Sequence, residues 1–134
     1  MPALSRVYLR TAMIYLALGV LLGGILLWNK GALIGGNIWI WLAAHISLVT
    51  WGWLWQVTFG VAFWILPRFG TSRGRVWLAW LAYGSVNIAI VLAALSPWLH
   101  GPWPTAIAGL LQAVAAIAFT CHAWPRVKPS TYGA

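Results

Sequence analysis

His45 has the most chemistry to offer in this chain, because it stands inside a stretch that is otherwise apolar, residues 37–68. That run exceeds the roughly 20 residues a helix needs to cross a hydrocarbon core. At about 100° per residue, Trp41, His45, Leu48, Gly52, Gln56, Phe59 and Phe63 fall on one stripe. An ionisable side chain in lipid is costly unless it is partnered, and it marks a functional position. An imidazole with Gly52 and Gly60 further down its stripe leaves room for a flat group. A helix that holds a haem through an axial histidine has this form. The same pattern describes a helix packed on its neighbour through small residues, with His45 hydrogen-bonded across the interface. Both readings stand on spacing alone.

Composition narrows the chemistry sharply. The 134 residues include no aspartate or glutamate, so paired-carboxylate acid–base catalysis, hard-cation sites and Ser-His-Asp triads are excluded. With 63% hydrophobic and 6% charged residues, the chain is a membrane protein rather than a soluble domain. Its formal charge of +8 lies in clusters beside apolar runs, which is the pattern of loop orientation in a membrane and not of a phosphate-binding groove; nucleic acid is not an expected partner. Cys121 is the single cysteine, so no internal disulfide forms, and Cys121 and His122 lack the second cysteine of a C-x-x-C-H haem attachment.

The elements that must position His45 are four transmembrane helices in an antiparallel up-down bundle, over about 9–28, 38–66, 76–96 and 105–124. The first apolar run has no small-x-small cleavage site after it and reads as a span, not a signal peptide. A short glycine-rich link at 29–36 makes the first two helices antiparallel neighbours. Pro67 ends the second helix before the basic loop of Arg68, Arg73 and Arg75, and Pro97 and Pro125 end the third and fourth. Arg6, Arg10, Arg68, Arg73, Arg75, Arg126 and Lys128 share one side, against Lys30 on the other. Both termini are therefore expected in the cytoplasm, with a bacterial or archaeal inner membrane as the setting. Trp28, Trp39, Trp41, Trp98 and Trp103 flank the outer ends, and Trp64, Trp77 and Trp124 the inner ones.

Depth then singles out the intramembrane polar groups. His45, Asn87 and Gln112 all lie roughly 10–15 Å inside the outer boundary. Convergence there suits either a bound group with polar handles or an interhelical hydrogen-bond cluster. Gln56 lies deeper, within reach of Tyr15 if helices 1 and 2 pack together. Ser47, Thr50, Thr58, Ser85 and Thr120 are expected to bond back to their own helices. His122 belongs to the inner leaflet, where snorkelling to the interface with Trp124 is expected, and His100 sits in the outer link. Trp41 and Trp51 are placed to wall a tetrapyrrole.

Ala44 and His45, then Trp51, then the run FGVAFWILPRF from Phe59, a polar basic loop and a Trp-led helix at Val76–Trp80 resemble the N-terminal helices of haem-copper oxidase subunit I, chiefly its second. In that family the second helix carries a low-spin haem ligand near its outer end and finishes in Pro-Arg at the cytoplasmic face. The resemblance implies that His45 is the axial iron ligand of a haem b, and that Pro67 and Arg68 match the Pro-Arg. Only the second helix is specific. The family's copper ligands, high-spin haem ligand and second axial histidine lie in later helices that this chain lacks, so oxygen reduction by the chain alone is not expected.

The expectation is thus a membrane subunit for electron transfer in a larger respiratory or photosynthetic assembly, with His45, Gly52, Trp41, Asn87 and Gln112 around a haem. The second axial ligand must come from another chain, through a homodimer or other membrane subunits. The alternative is a cofactor-free accessory subunit that packs between larger subunits and holds lipid or quinone.

Overall fold

The computed structural model describes residues 1–32, 36–68, 72–99 and 101–127. His100, Lys128 and residues 69–71 of the basic loop lie outside the described residues, as do the readings that rest on them. The described chain contains no strand. It has four helices long and apolar enough to cross a membrane: Ala3–Ala32, Ile38–Ile65, Val76–Leu95 and Trp103–Arg126.

Proline sets most of the boundaries. Leu66 turns extended ahead of Pro67, as the residue before a proline prefers, and this ends the second helix. Pro104 sits in the first turn of the fourth helix, where a missing N–H costs nothing. Pro125 stands in the short 3-10 turn Trp124–Arg126 that closes it. The first helix begins at Ala3, well before residue 9, because nothing in its basic head breaks a helix; Arg6 and Arg10 extend from it exposed.

The second helix is not uniform. A 3-10 turn, Ile38–Trp41, leads into α-helix Leu42–Ser47, then a π-helical stretch Leu48–Trp55, then α-helix Gln56–Ile65. The stripe counted at a regular α-helical angle still turns inward: Leu48, Gly52, Gln56, Phe59 and Phe63 are buried, and Trp41 and His45 half-buried.

Helices 1 and 2 press together through glycines, each receiving a side chain of the other helix. A Cβ on Gly60 would lie 2.8 Å from Tyr8 Cβ, and one on Gly52 would lie 2.8 Å from Tyr15 Cβ. In return, Gly19 receives Val49 and Gly23 receives His45. As the position in helix 1 rises from 8 to 23, its partner falls from 60 to 45, which is an antiparallel register. Small residues of this kind drive helix association in membranes, because they let backbones approach closely.

A second set of contacts ties helix 1 to helix 3. The Tyr8 hydroxyl donates to the Ala79 carbonyl at 2.9 Å, Thr11 shares a hydrogen bond with Tyr83 at 2.8 Å, and Tyr15 donates to Asn87 Oδ1 at 2.7 Å. Both positions rise together, so these helices run parallel. Helices 3 and 4 pair along most of their length through alanines, among them Ala89, Ala93 and Ala108. Phe59 stacks on Phe119 with ring centroids 4.1 Å apart, closing the core where helices 2 and 4 meet.

Candidate functional site

His45 lies in the Leu42–Ser47 turn of helix 2 and is half-buried against helix 1. Its Nδ1 is 2.8 Å from the Gly19 carbonyl. A carbonyl only accepts, so Nδ1 carries a proton and donates it. The ring lies so close to Gly23 that a Cβ there would come within 2.7 Å of His45 Cε1. Around it runs a groove of about 220 Å³ lined by Gly23, Leu26, Leu27, Lys30, Trp39 and Leu42. The cation of Lys30 therefore stands at the rim of the groove that holds the imidazole.

The other expected site residues are placed elsewhere. The room beside Gly52 is filled by Tyr15 of the same chain, and that beside Gly60 by Tyr8, so neither glycine leaves space for a flat group. Trp41 meets Trp98 edge-to-face at 4.5 Å, and Trp51 stacks on Trp55 at 4.8 Å. Asn87 belongs to a hydrogen-bonded knot: Tyr15 donates to its Oδ1 at 2.7 Å, Gln56 Nε2 approaches the same oxygen at 3.4 Å, and its Nδ2 donates to the Tyr83 carbonyl at 2.7 Å. Gln112 lies on another face, in a groove between helices 2, 3 and 4. His45, Asn87 and Gln112 are thus not brought together. Gln56 and Tyr15 do meet, through Asn87. Thr50 and Thr58 bond back to Ile46 and Leu54, whereas the buried Ser47 hydroxyl has no partner.

At the basic end the structure corrects the reading of His122. It does not snorkel with Trp124; it is buried, stacked on Phe63 at 5.2 Å, and hydrogen-bonded through both nitrogens. Nδ1 lies 3.0 Å from the Arg75 carbonyl, and Nε2 lies 2.9 Å from Arg126 Nη1. Since the carbonyl only accepts and the guanidinium only donates, Nδ1 holds the proton and Nε2 accepts. No ring nitrogen is left to ligate a metal.

Arg126, counted in the sequence among the loop charges, is fully buried. Its Nε donates to the Pro67 carbonyl at 2.9 Å, and its Nη2 donates to the carbonyls of Leu66 at 2.6 Å and Phe63 at 3.2 Å. Arg73 adds a hydrogen bond to the Phe63 carbonyl at 2.9 Å. Two guanidiniums therefore cap the carbonyl end of helix 2, where the helix dipole favours a cation. Burial, and then the charge of Arg68, lower the Arg73 pKa from its ordinary value, yet a guanidinium so far above neutrality stays charged. Spacing of four residues between His122 and Arg126 was the available signal. Without carboxylates, an arginine facing the core has only carbonyls and imidazole as acceptors.

Among the described residues no three His, Cys, Asp or Glu side chains cluster as a metal site. No protein family, curated protein or solved structure matches this chain.

Proposed function

We propose that the chain is a membrane-embedded electron-transfer subunit that binds a b-type haem through His45, in a larger assembly of the kind its resemblance to haem-copper oxidase subunit I implies. The observation that supports this reading is the placement of His45: its Nδ1–H is held by the Gly19 carbonyl, which leaves Nε2 as the nitrogen that can turn to a ligand, and the ring lines a groove. Metal-bound histidines have this arrangement, because the second hydrogen bond fixes the tautomer and raises the basicity of the ligating nitrogen. The absence of a Cβ at Gly23 admits the ring. Leu26, Leu27, Leu42 and Trp39 keep water from it, and Lys30 supplies a cation for acidic substituents. When bound, a haem supplies one-electron exchange.

A groove of about 220 Å³ is below the roughly 300–1,000 Å³ usual for a ligand pocket. This chain covers one face, and a second copy or another membrane subunit supplies the other face and the second axial ligand. The basic end faces the cytoplasm in this reading, with His45 in the outer leaflet. The test is an absorbance spectrum of the purified protein, oxidised and dithionite-reduced, after haem loading. A haem α-band lost in His45→Ala and kept in His122→Ala is expected.

A second reading rests on a different observation. Tyr15, Leu18, Leu22, Trp41, Leu48 and Ile90 line an almost wholly apolar groove of about 400 Å³ between helices 1, 2 and 3. Such a groove suits the tail of a lipid or quinone in a cofactor-free accessory subunit. Wild-type protein without Soret absorption after loading favours that reading.

A further inference from the structure

We infer that the groove between helices 2, 3 and 4 at the Lys30 end binds a carbonyl-bearing ring compound of the quinone class, with Gln112 as its hydrogen-bond donor. The groove encloses about 310 Å³ between Ser47, Thr50, Trp51, Ala93, Gly109 and Gln112, away from the His45 groove. Its polar groups are unequal. Thr50 is satisfied by its own helix, and so is Thr105 at the groove's edge, at 2.6 and 2.8 Å. The half-buried Gln112 amide makes no hydrogen bond to another described residue, and the Ser47 hydroxyl, in a residue only 5% exposed, has no partner either. Hydrocarbon offers no water to satisfy an amide, so an unpaired glutamine at this depth implies a partner that the chain itself does not provide.

Depth decides the partner's chemistry. Ser47 lies about nine residues into helix 2 and Gln112 about nine into helix 4, or roughly 13 Å from the helix starts. Lipid ester carbonyls lie near the boundary of the hydrocarbon core, whereas a quinone ring enters it. A flat ring with two carbonyl oxygens matches the space, the Gln112 N–H and the aromatic wall of Trp51. Gly109 keeps the site open, because a Cβ built there meets nothing within 4 Å.

The experiment uses the full chain in lipid nanodiscs with decyl-benzoquinone as the titrant, read by calorimetry, and an azido-quinone as photolabel. Expected is saturable binding, labelling at the 105–112 segment, and affinity at least tenfold lower in both Gln112→Leu and Gly109→Leu. Because Gly109 faces open space, Gly109→Leu folds as wild type, checked by helical circular dichroism and elution volume. Absence of saturable quinone binding, wild-type affinity in either variant, or displacement of the label by excess diacyl phospholipid would overturn the proposal. None of these outcomes depends on haem, so the His45 reading stands or falls separately.

Discussion

Arg126 Nη1 sits 2.9 Å from His122 Nε2, one helical turn further along the same helix. The pair works as one unit, because the imidazole orients the guanidinium that closes the carbonyl end of helix 2. Lysine keeps the charge but cannot reach Pro67, Leu66, Phe63 and His122 with one planar fork. Arg126→Lys should therefore lower stability by about 2 kcal/mol, and Arg126→Leu by about 3 or more, from lost charge-assisted hydrogen bonds and orphaned carbonyls. Thermal unfolding in detergent, followed by circular dichroism, measures both. A lysine variant as stable as wild type would show that charge alone suffices.

The glycines inside the helices separate into close-packed and open ones. Gly52→Ala puts a Cβ 2.8 Å from Tyr15, and Gly60→Ala puts one 2.8 Å from Tyr8, so each should destabilise by about 1–3 kcal/mol. Gly84→Ala meets nothing within 4 Å and lies inside a helix, so it should be neutral or stabilise by up to about 1 kcal/mol. Equal effects at Gly52 and Gly84 in the same unfolding assay would contradict the packing described.

The sequence and the structure part company at these same glycines. The ends of helices 2 and 4 were legible, because Pro67 and Pro125 interrupt apolar runs whatever the tertiary packing does, whereas helix 1 runs from Ala3 to Ala32, past the expected span of about 9–28 at both ends. The inward face of helix 2 was legible too, but not the neighbour that each of its residues meets. A stripe counted at a constant angle runs through His45 and Gln56, and its members from Leu48 to Phe63 are buried, but it does not say which helix each one meets. His45 meets Gly19 on helix 1, and Gln56 meets Asn87 on helix 3. Nothing in LVTWGWLW distinguishes a π-helix from an α-helix. Arg126 was hidden for another reason. Counting loop charges takes every basic residue beside an apolar run as a solvated loop charge, so the count never exposes the one that turns inward.

Tyr15 and Asn87 offer a direct measure of an intramembrane hydrogen bond. A double-mutant cycle with Tyr15→Phe and Asn87→Leu should return a coupling of about 0.6–1.7 kcal/mol, the range of such bonds between membrane helices. A coupling indistinguishable from zero would mean that the 2.7 Å contact carries no net stability.

Gly23 and Gly24 are neighbours with opposite surroundings, and they test the haem reading without touching His45. Gly23→Ala drives a Cβ to 2.7 Å from the imidazole and should weaken haem retention at least tenfold or shift the reduced α-band. Gly24→Ala, which meets nothing within 4 Å, should leave the spectrum unchanged. Haem titration of both variants against wild type settles the comparison.

Orientation follows from charge and is checked by labelling. In a Cys121→Ser background, chosen because Cys121 is exposed, a cysteine at Lys30 should react with an impermeant maleimide from outside intact cells. One at Arg68 should react only after lysis. The reverse pattern would put His45 in the cytoplasmic leaflet.

The cap on helix 2 also sets an order of events during synthesis. The Pro67 carbonyl is held by a side chain made 59 residues later. At ribosomal rates of about 5–20 residues per second, the last turn of helix 2 waits roughly 3–12 s for Arg126. Arg73, only 10 residues beyond Phe63, arrives early enough to hold that carbonyl in the interval. A nascent chain stalled before residue 126 should therefore expose a frayed second helix to proteases on the basic side, and release of the stall should remove that sensitivity.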